Sequence, residues 1–229
     1  VPLADPFILL YNNVYYAYGT GPNCKRGVDC YKSNDLKYWE YVGLVYNKAA
    51  SDIQDCCWAP EVYRKDDKFY LFVTLSTKGI FVMSSNTPEG PFKEKSYLVN
   101  GIDGTVFLEN KNLYLFYSYG TGLNLIKLKD DYSSTVGSSF KCFGNTLSWE
   151  RGIVEGPVCI SHKGKLYMNY SGDVYTSQNY SIGVATADSV KGKWTKYEKP
   201  ILTRSDSLSG IGHNSIFFDK TGHLKIVFH

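Results

Sequence analysis

Five segments of this chain share one layout, in which a short turn-prone stretch opens a hairpin whose second strand is aromatic. The turn-prone stretches are residues 4–7, 58–61, 102–105, 154–157 and 212–215. The aromatic strands follow at 14–18, 69–73, 113–117, 166–170 and 224–228. A polar turn such as Asn12-Asn13 separates the two strands of each hairpin, as a short β-connection requires. We therefore predict five β-hairpins in a repeated architecture.

The five hairpins recur at a nearly constant spacing. We align one position from each, and these residues are 54, 44, 52 and 58 residues apart: Asp5, Ala59, Asp103, Glu155 and His213. A period of about 50 residues with about four strands per repeat is typical of β-propeller blades. Because the first strand of each blade lines the axis, we expect the aligned positions to face one central cavity. Two Asp, one Glu and one His would meet there.

Composition favours a single all-β domain over residues 1–229. The chain contains 20 Tyr, 12 Phe, 4 Trp and 21 Gly, a mixture typical of many short strands joined by tight turns. The length alone would accommodate one large domain or two small ones.

Charge and hydropathy exclude two classes of partner. The net charge of +3 comes from 25 basic and 22 acidic residues spread along the whole chain, so no basic run could follow a nucleic-acid backbone. No stretch approaches the roughly 18 apolar residues that a membrane span needs. No leader segment precedes Val1, and we expect a soluble, processed protein that is secreted or periplasmic.

Six cysteines leave the redox environment open. They contain no CxxC pair and no paired histidines accompany them, so a zinc site has little support. Cys24 and Cys30 could close a small loop by a disulfide in an exported protein. The alternative is that all six are ordinary buried thiols.

Acidic residues at repeated positions suit glycosidic bond cleavage. That reaction needs one carboxylic acid to protonate the leaving oxygen and a second carboxylate on the other face, about 6.5 to 9.5 Å away when the enzyme inverts the anomeric centre. A third carboxylate near the acid would raise its pKa by repulsion. Each acid taken alone could simply cap a turn. Their repetition across blades favours catalysis.

The ordered set of motifs resembles glycoside hydrolase family 43. The motifs are Ala4-Asp5-Pro6, Trp58-Ala59-Pro60-Glu61, Ile102-Asp103-Gly104 and Val154-Glu155-Gly156-Pro157, each opening an aromatic hairpin. The resemblance covers nearly the whole chain and implies a five-bladed β-propeller and inverting hydrolysis. It implies Asp5 as general base, Glu155 as general acid and Asp103 as the residue that modulates the pKa of that acid and orients it.

Two further residues keep two interpretations each. His213, in Gly-His-Asn-Ser, resembles the histidine on which family members build a calcium or water-filled site, and a hydrogen-bonded histidine in a channel is the alternative. A structural Ca²⁺ near His213 would need mostly water ligands, and the reaction itself requires no cofactor. Trp58 would stack on a sugar of the substrate or pack between blades. Gly19-Thr20-Gly21 is interpreted as a simple turn, because it lacks the spacing of a nucleotide loop.

Members of the family usually continue beyond the fifth inner hairpin, whereas this sequence stops at His229. We therefore expect a fifth blade that is incomplete at the C-terminus. The resemblance favours an α-L-arabinofuranosidase or β-xylosidase acting on arabinose- or xylose-containing plant polysaccharide. An endo-arabinanase or β-galactosidase of the same family is the first alternative. A carbohydrate-binding propeller without turnover is the second, since a fold alone does not establish function.

Overall fold

A computed structural model describes residues 1–48 and 55–229 of the protein. Over these residues the chain forms eighteen β-strands, β1 to β18, and one short 3-10 helix, Ser148–Glu150. The prediction of an all-β fold is therefore confirmed. No helix in the described part of the chain is long and apolar enough to cross a membrane.

The strands form antiparallel sheets in which neighbours in sequence are neighbours in space. The first sheet contains β1 (Ala4–Tyr11), β2 (Val14–Thr20), β3 (Gly27–Ser33) and β4 (Glu40–Asn47). The second contains β5 (Cys57–Lys65), β6 (Lys68–Leu75), β7 (Gly79–Ser85) and β8 (Lys93–Val99). The third contains β9 (Ile102–Glu109), β10 (Asn112–Tyr119), β11 (Gly122–Leu128) and β12 (Thr135–Gly144).

The remaining strands complete a fourth and a fifth sheet. The fourth contains β13 (Val154–His162), β14 (Lys165–Gly172), β15 (Ser181–Ala187) and β16 (Thr195–Lys196). The fifth has two strands in the described residues, β17 (Ser215–Phe218) and β18 (Leu224–Val227). The first two strands of every sheet pair antiparallel, which confirms the five predicted hairpins.

Turn chemistry fixes the hairpins where the sequence analysis placed them. Asn12 and Asn13 both have positive φ, 48° and 61°, which is the requirement of a two-residue type I′ turn. Asn tolerates this left-handed region better than most residues because its short polar side chain can bond locally. The turn sets the pairing of Tyr11 with Val14, and so the register of β1 on β2.

The chain divides into two compact units, each with its own core. The first unit comprises Val1–Asn100 with Ser215–Phe228, and the second comprises Gly101–Asn214 with His229. Aromatic and aliphatic side chains from neighbouring sheets pack together in each unit, with Tyr18 and Leu71 fully buried in the first and Met168 fully buried in the second. The prediction of one domain over residues 1–229 stays a prediction.

The disulfide differs from the one considered from the sequence. Cys24 is bonded to Cys56, with 4.7 Å between their Cα atoms, so a Cys24–Cys30 bridge is wrong. Cys30 lies inside β3, fully buried opposite Tyr18, where it cannot reach the loop that carries Cys24. The free cysteines in the described residues are Cys30, Cys57, Cys142 and Cys159. Burial raises the pKa of Cys57 to about 12, as expected of an unreactive thiol.

Candidate active site

The first strand of each of the four larger sheets carries a β-bulge at its start. In the first sheet Ala4 pairs with Thr20 and Phe7 pairs with Tyr18, so two residues of β1 oppose one residue of β2. The same interruption occurs in the next three sheets, and the bulged pairs are Asp5/Pro6, Ala59/Pro60, Asp103/Gly104 and Gly156/Pro157. At the fifth hairpin Gly212 and His229 exchange backbone hydrogen bonds of 3.0 and 3.2 Å.

The first residue of each bulge has a left-handed backbone. The φ values are 49° at Asp5, 43° at Ala59, 59° at Asp103, 56° at Gly156 and 41° at His213. A residue without glycine's freedom is strained in this region, and such residues cluster at functional sites. The shared φ and the shared register identify these five as the equivalent residues of the repeat.

The alignment made from the sequence is therefore wrong by one residue in the fourth repeat. Glu155 pairs with Ser171 and precedes the bulge, so its equivalents in the other sheets are Ala4, Trp58, Ile102 and Gly212. Gly156 occupies the position of Asp5 and Asp103. The bulge turns the backbone between Glu155 and Gly156, so the acid leaves the strand at a different point from the two aspartates.

The prolines contained the signal for the correct alignment. Pro6, Pro60 and Pro157 each follow the left-handed residue, so superposing them places Gly156 with Asp5 and Ala59. Aligning the acidic residues by their chemistry hid this correspondence.

Asp103, Glu155 and His213 come together in the second unit. The N–H of Gly156, in the peptide that joins it to Glu155, donates a 3.0 Å hydrogen bond to Oδ2 of Asp103. Nδ1 of His213 lies 4.0 Å from the same Oδ2. Asp103 is buried, with 8% of its surface exposed. Asp103 is thus placed to orient the segment that carries Glu155.

Tyr180 is a site residue that the sequence analysis missed. Its hydroxyl donates a 2.8 Å hydrogen bond to Oε1 of Glu155, and its ring packs directly on Gly212. Burial, and then the negative charge of Glu155, raise the pKa of Tyr180 well above its ordinary value. The phenol therefore stays neutral and keeps its proton to donate. No local motif marks Tyr180, because it lies just before β15 and reaches Glu155 only through the tertiary fold.

Gly156 is required by its surroundings as well as by its φ. A Cβ at this position would lie 3.1 Å from Nδ1 and 3.2 Å from Cγ of His213. The imidazole ring therefore rests against the α-carbon of Gly156, next to Glu155.

Asp5 and Trp58 lie in the first unit. The hydroxyl of Thr20 donates a 2.5 Å hydrogen bond to Oδ2 of Asp5, and it accepts a 2.9 Å bond from the N–H of Ala59. Thr20 is the last residue of β2 and is no simple turn residue. Trp58 is 37% exposed and precedes the bulge of β5, in the register position that Glu155 occupies in β13. That Asp5 shares a cavity with Glu155 stays a prediction.

The surroundings of His213 suit a hydrated cation only in part. Among the described residues, no group of three or more His, Cys, Asp or Glu could hold a metal ion. The neighbouring Asn214 is 2% exposed, and neither its amide oxygen nor its amide nitrogen has a hydrogen-bond partner in the part of the chain that the structure describes. An amide oxygen is a ligand type that Ca²⁺ accepts, and water would serve both amide atoms.

The fold belongs to the all-β β-propeller class. A crystal structure of an endo-1,4-β-xylanase from Bacteroides thetaiotaomicron VPI-5482 is similar to 100% of this chain and 84% of that chain, with a TM-score of 0.90 and 35% identity. The family model of glycosyl hydrolases family 43 matches residues 2–229, and the chain belongs to this family.

Two curated relatives are also similar over almost the whole chain. An extracellular exo-α-(1→5)-L-arabinofuranosidase from Streptomyces avermitilis is 28% identical over 99% of this chain. A β-D-galactofuranosidase from Aspergillus niger is 27% identical over 99% of this chain. The chain spans 54% of the length of the first relative and 73% of the second.

Proposed function

We propose that the protein is an inverting glycoside hydrolase that cleaves O-glycosidic bonds of arabinose- or xylose-containing plant polysaccharides. The observation that carries the proposal is the arrangement around Glu155, whose carboxyl is held by Tyr180 and whose following peptide is bound by the buried carboxylate of Asp103. A carboxyl held beside a second, buried carboxylate suits a general acid. Membership of glycosyl hydrolases family 43 supports the reaction class.

The three acids divide the reaction between them. Asp5, as general base, removes a proton from the water that attacks the anomeric carbon, while Glu155 protonates the departing glycosidic oxygen. The negative charge of Asp103 favours the protonated form of Glu155, and its hydrogen bond to Gly156 holds the acid in place. Inversion requires Asp5 and Glu155 to act on opposite faces of the same sugar.

The sugar is the least constrained part of the proposal. Relatives are named for xylan, arabinan and galactofuranoside linkages, and this range supports a pentose or furanose substrate without selecting one. We favour α-L-arabinofuranosidase or β-xylosidase activity, with Trp58 stacking on a sugar ring. Endo-arabinanase or β-galactosidase activity is the alternative within the family.

We further propose a five-bladed propeller as a single domain over 1–229, and a secreted or periplasmic location. Five hairpins, each with a residue of positive φ at the equivalent position, support five blades. The Cys24–Cys56 disulfide supports an oxidising compartment, and the similar arabinofuranosidase is described as extracellular.

We propose no cofactor for the reaction, with a structural Ca²⁺ held near His213 mainly through water. If this is correct, EDTA will leave turnover unchanged and lower the melting temperature, and added Ca²⁺ will restore it. A melting temperature that changes with neither EDTA nor Ca²⁺ would contradict the proposed metal site.

One experiment tests the enzyme class. The protein is incubated with aryl α-L-arabinofuranoside, aryl β-xyloside, aryl galactosides, xylan and arabinan, and the first released anomer is followed by proton NMR. We expect release with the anomeric configuration inverted, and its loss in Asp5→Asn. Release with retained configuration would refute the mechanism. Binding of these sugars without any release would favour a carbohydrate-binding propeller.

A further inference from the structure

The proposed general base, Asp5, and the proposed general acid, Glu155, each accept a hydrogen bond from a hydroxyl, and a backbone N–H lies at the start of each chain of hydrogen bonds. In the first unit the chain runs from the N–H of Ala59 through the hydroxyl of Thr20 to Oδ2 of Asp5. In the second unit the hydroxyl of Tyr180 donates to Oε1 of Glu155, and the N–H of His213 donates to Oγ of Ser171. Ala59 and His213 are equivalent bulge residues, so the two chains start at the same point of the repeat.

The first chain of hydrogen bonds can run in one direction only, because it starts at a backbone N–H. A backbone N–H can only donate, so the oxygen of Thr20 must accept from Ala59 over 2.9 Å. The hydroxyl has one proton, and a carboxylate at 2.5 Å can only accept it. Thr20 therefore delivers a donor to Oδ2 of Asp5 in one orientation.

The hydrogen bonds near Glu155 are directed in a similar way, with one more residue involved. The N–H of His213 donates to Oγ of Ser171 over 2.7 Å, which leaves the Ser171 proton to be donated, and donation from Ser171 lowers the pKa of Tyr180 against the larger effect of burial. The phenol proton is thereby directed to Oε1 of Glu155. Ser171 is fully buried and Tyr180 is 1% exposed, so water does not compete for these bonds.

We propose that Thr20, and Ser171 together with Tyr180, are positioning residues that fix which oxygen of each acid takes part in proton transfer. With Oε1 of Glu155 occupied by the Tyr180 proton, the acidic proton sits on Oε2 and faces the leaving group. With Oδ2 of Asp5 occupied by the Thr20 proton, Oδ1 receives the proton of the attacking water. The inference rests on the proposed function, because it assigns these residues to its two acids.

The repeat supplies a matched control. Residues with a hydroxyl occupy the same register position in all four larger sheets: Thr20, Thr74, Ser118 and Ser171. At the third sheet the following bulge N–H, from Gly156, bonds Asp103 directly, and Oγ of Ser118 has no hydrogen-bond partner among the described residues. Ser118→Ala therefore removes an equivalent buried hydroxyl that takes part in neither chain of hydrogen bonds.

The test compares Thr20→Val, Ser171→Ala and Tyr180→Phe with the wild type and with Ser118→Ala. We expect kcat to fall about 10- to 100-fold in the first three, because a loosened acid or base loses its alignment, with KM little changed. Thr20→Ser should restore most of the rate, since it restores the donor. Ser118→Ala should behave as the wild type.

The pH profile of kcat/KM separates positioning from general damage. A lost donor disfavours the charged form of the carboxyl that it served, whereas Thr20→Val should lower the rate without moving the basic limb of the profile. Tyr180→Phe should move only the basic limb, set by Glu155, to higher pH. A basic limb of the pH profile that does not move in Tyr180→Phe, or that moves equally in Ser118→Ala, would overturn the inference.

A second readout does not need turnover. Carboxyl ¹³C NMR, assigned with Glu155→Gln, follows the titration midpoint of Glu155. We expect this midpoint to rise by about one pH unit in Tyr180→Phe and to stay at the wild-type value in Ser118→Ala. If the wild type hydrolyses none of the glycosides, the proposed function fails and these midpoints still decide the inference. An unchanged midpoint in Tyr180→Phe would refute it even if the wild type is active.

Discussion

One peptide unit, between Glu155 and Gly156, joins three of the candidate site residues. Its N–H holds Asp103, the α-carbon after it supports the ring of His213, and the residue before it supplies the carboxyl of Glu155. The position of the acid therefore depends on a glycine with a φ of 56°.

Gly156→Ala should cost both stability and rate. A Cβ in the left-handed region costs about 1 to 2 kcal/mol, and here it would also press on His213 at 3.1 Å. We expect a free energy of unfolding lowered by more than the φ cost alone and a kcat lowered with it. Urea denaturation and initial rates would measure the two.

Gly120→Ala is the control for the backbone cost. Gly120 has a φ of 60°, and a Cβ added there would meet no described atom within 4 Å, so the substitution isolates the conformational effect. An equal loss of stability in both variants, with kcat intact in Gly156→Ala, would contradict the role given to Gly156.

Residue identities alone could suggest the acidic residues but not the residues that hydrogen-bond to them. Asp5, Asp103 and Glu155 stand in recognisable motifs, whereas Tyr180 is remote from Glu155 in sequence and contacts it because Gly212 leaves room for its ring. The Cys24–Cys56 pairing was equally hidden, because it depends on where the loop before β3 meets the start of β5.

At the scale of strands and hairpins, the sequence was more informative. Aromatic second strands and polar turns located all five hairpins. The bulges were not predicted, because each lies at the start of its strand. It changes the alternation of buried and exposed side chains in the first residues only. A residue with a hydroxyl recurs near the end of the second strand in the four larger sheets, as Thr20 and Ser171 show, and this repeat is visible in the sequence.

The short helix before β13 is anchored by a buried ion pair. Lys196 lies 2.6 Å from Glu150, and their side chains are 8% and 0% exposed. Glu150 also accepts a 2.8 Å hydrogen bond from Tyr170. Lys196→Met should lower the free energy of unfolding by about 3 to 5 kcal/mol, because it leaves Glu150 buried without its cation. Chemical denaturation measures the loss.

An exposed lysine in the same region controls for the change of side chain. Lys193→Met should alter the free energy of unfolding by less than about 0.5 kcal/mol. Similar losses of unfolding free energy in Lys193→Met and Lys196→Met would show that the buried ion pair does not stabilise the fold.

The two-stranded fifth hairpin depends on its turn. Asp219 accepts hydrogen bonds from Thr221 and from the backbone N–H of His223, and it lies 3.4 Å from Lys225. The Thr221 hydroxyl and these further donors lower the pKa of Asp219 below its ordinary 3.8. The stability it contributes is therefore present above pH 3.8 and is lost as the pH falls through the lower folded value.

Amide hydrogen exchange would detect this effect locally. We expect protection in β17 and β18 to fall below pH 3.8, and Asp219→Ala to lose that protection already at neutral pH. Protection that is independent of both pH and the substitution would rule out the turn as the anchor of the hairpin.

At the scale of the molecule, the disulfide is the one covalent restraint seen in the described residues. Cys24 and Cys56 are 32 residues apart, and a crosslink closing a loop of this size contributes about 4 kcal/mol by restricting the unfolded chain. Reduction should lower the melting temperature by several degrees. The variant Cys24→Ser/Cys56→Ser should match the reduced protein and be insensitive to reductant. A wild type that melts identically with and without reductant would contradict this.

The fold class and the family could be predicted from the sequence, because the repeat and the ordered motifs extend over the whole chain. The sugar could not, because proteins similar to almost the whole chain are named for different linkages. Substrate choice depends on loop shape and on individual side chains, and a repeat does not encode these.

The central claim is that Glu155 protonates the leaving group while Asp5 activates water. Rates for Glu155→Gln on a series of aryl glycosides with leaving groups of increasing pKa test it most directly. We predict nearly normal rates with dinitrophenyl leaving groups, which need no acid, and progressively larger losses with poorer ones, whereas Asp5→Asn should be slow on all. A Glu155→Gln variant equally impaired, or equally active, across the series would contradict the account.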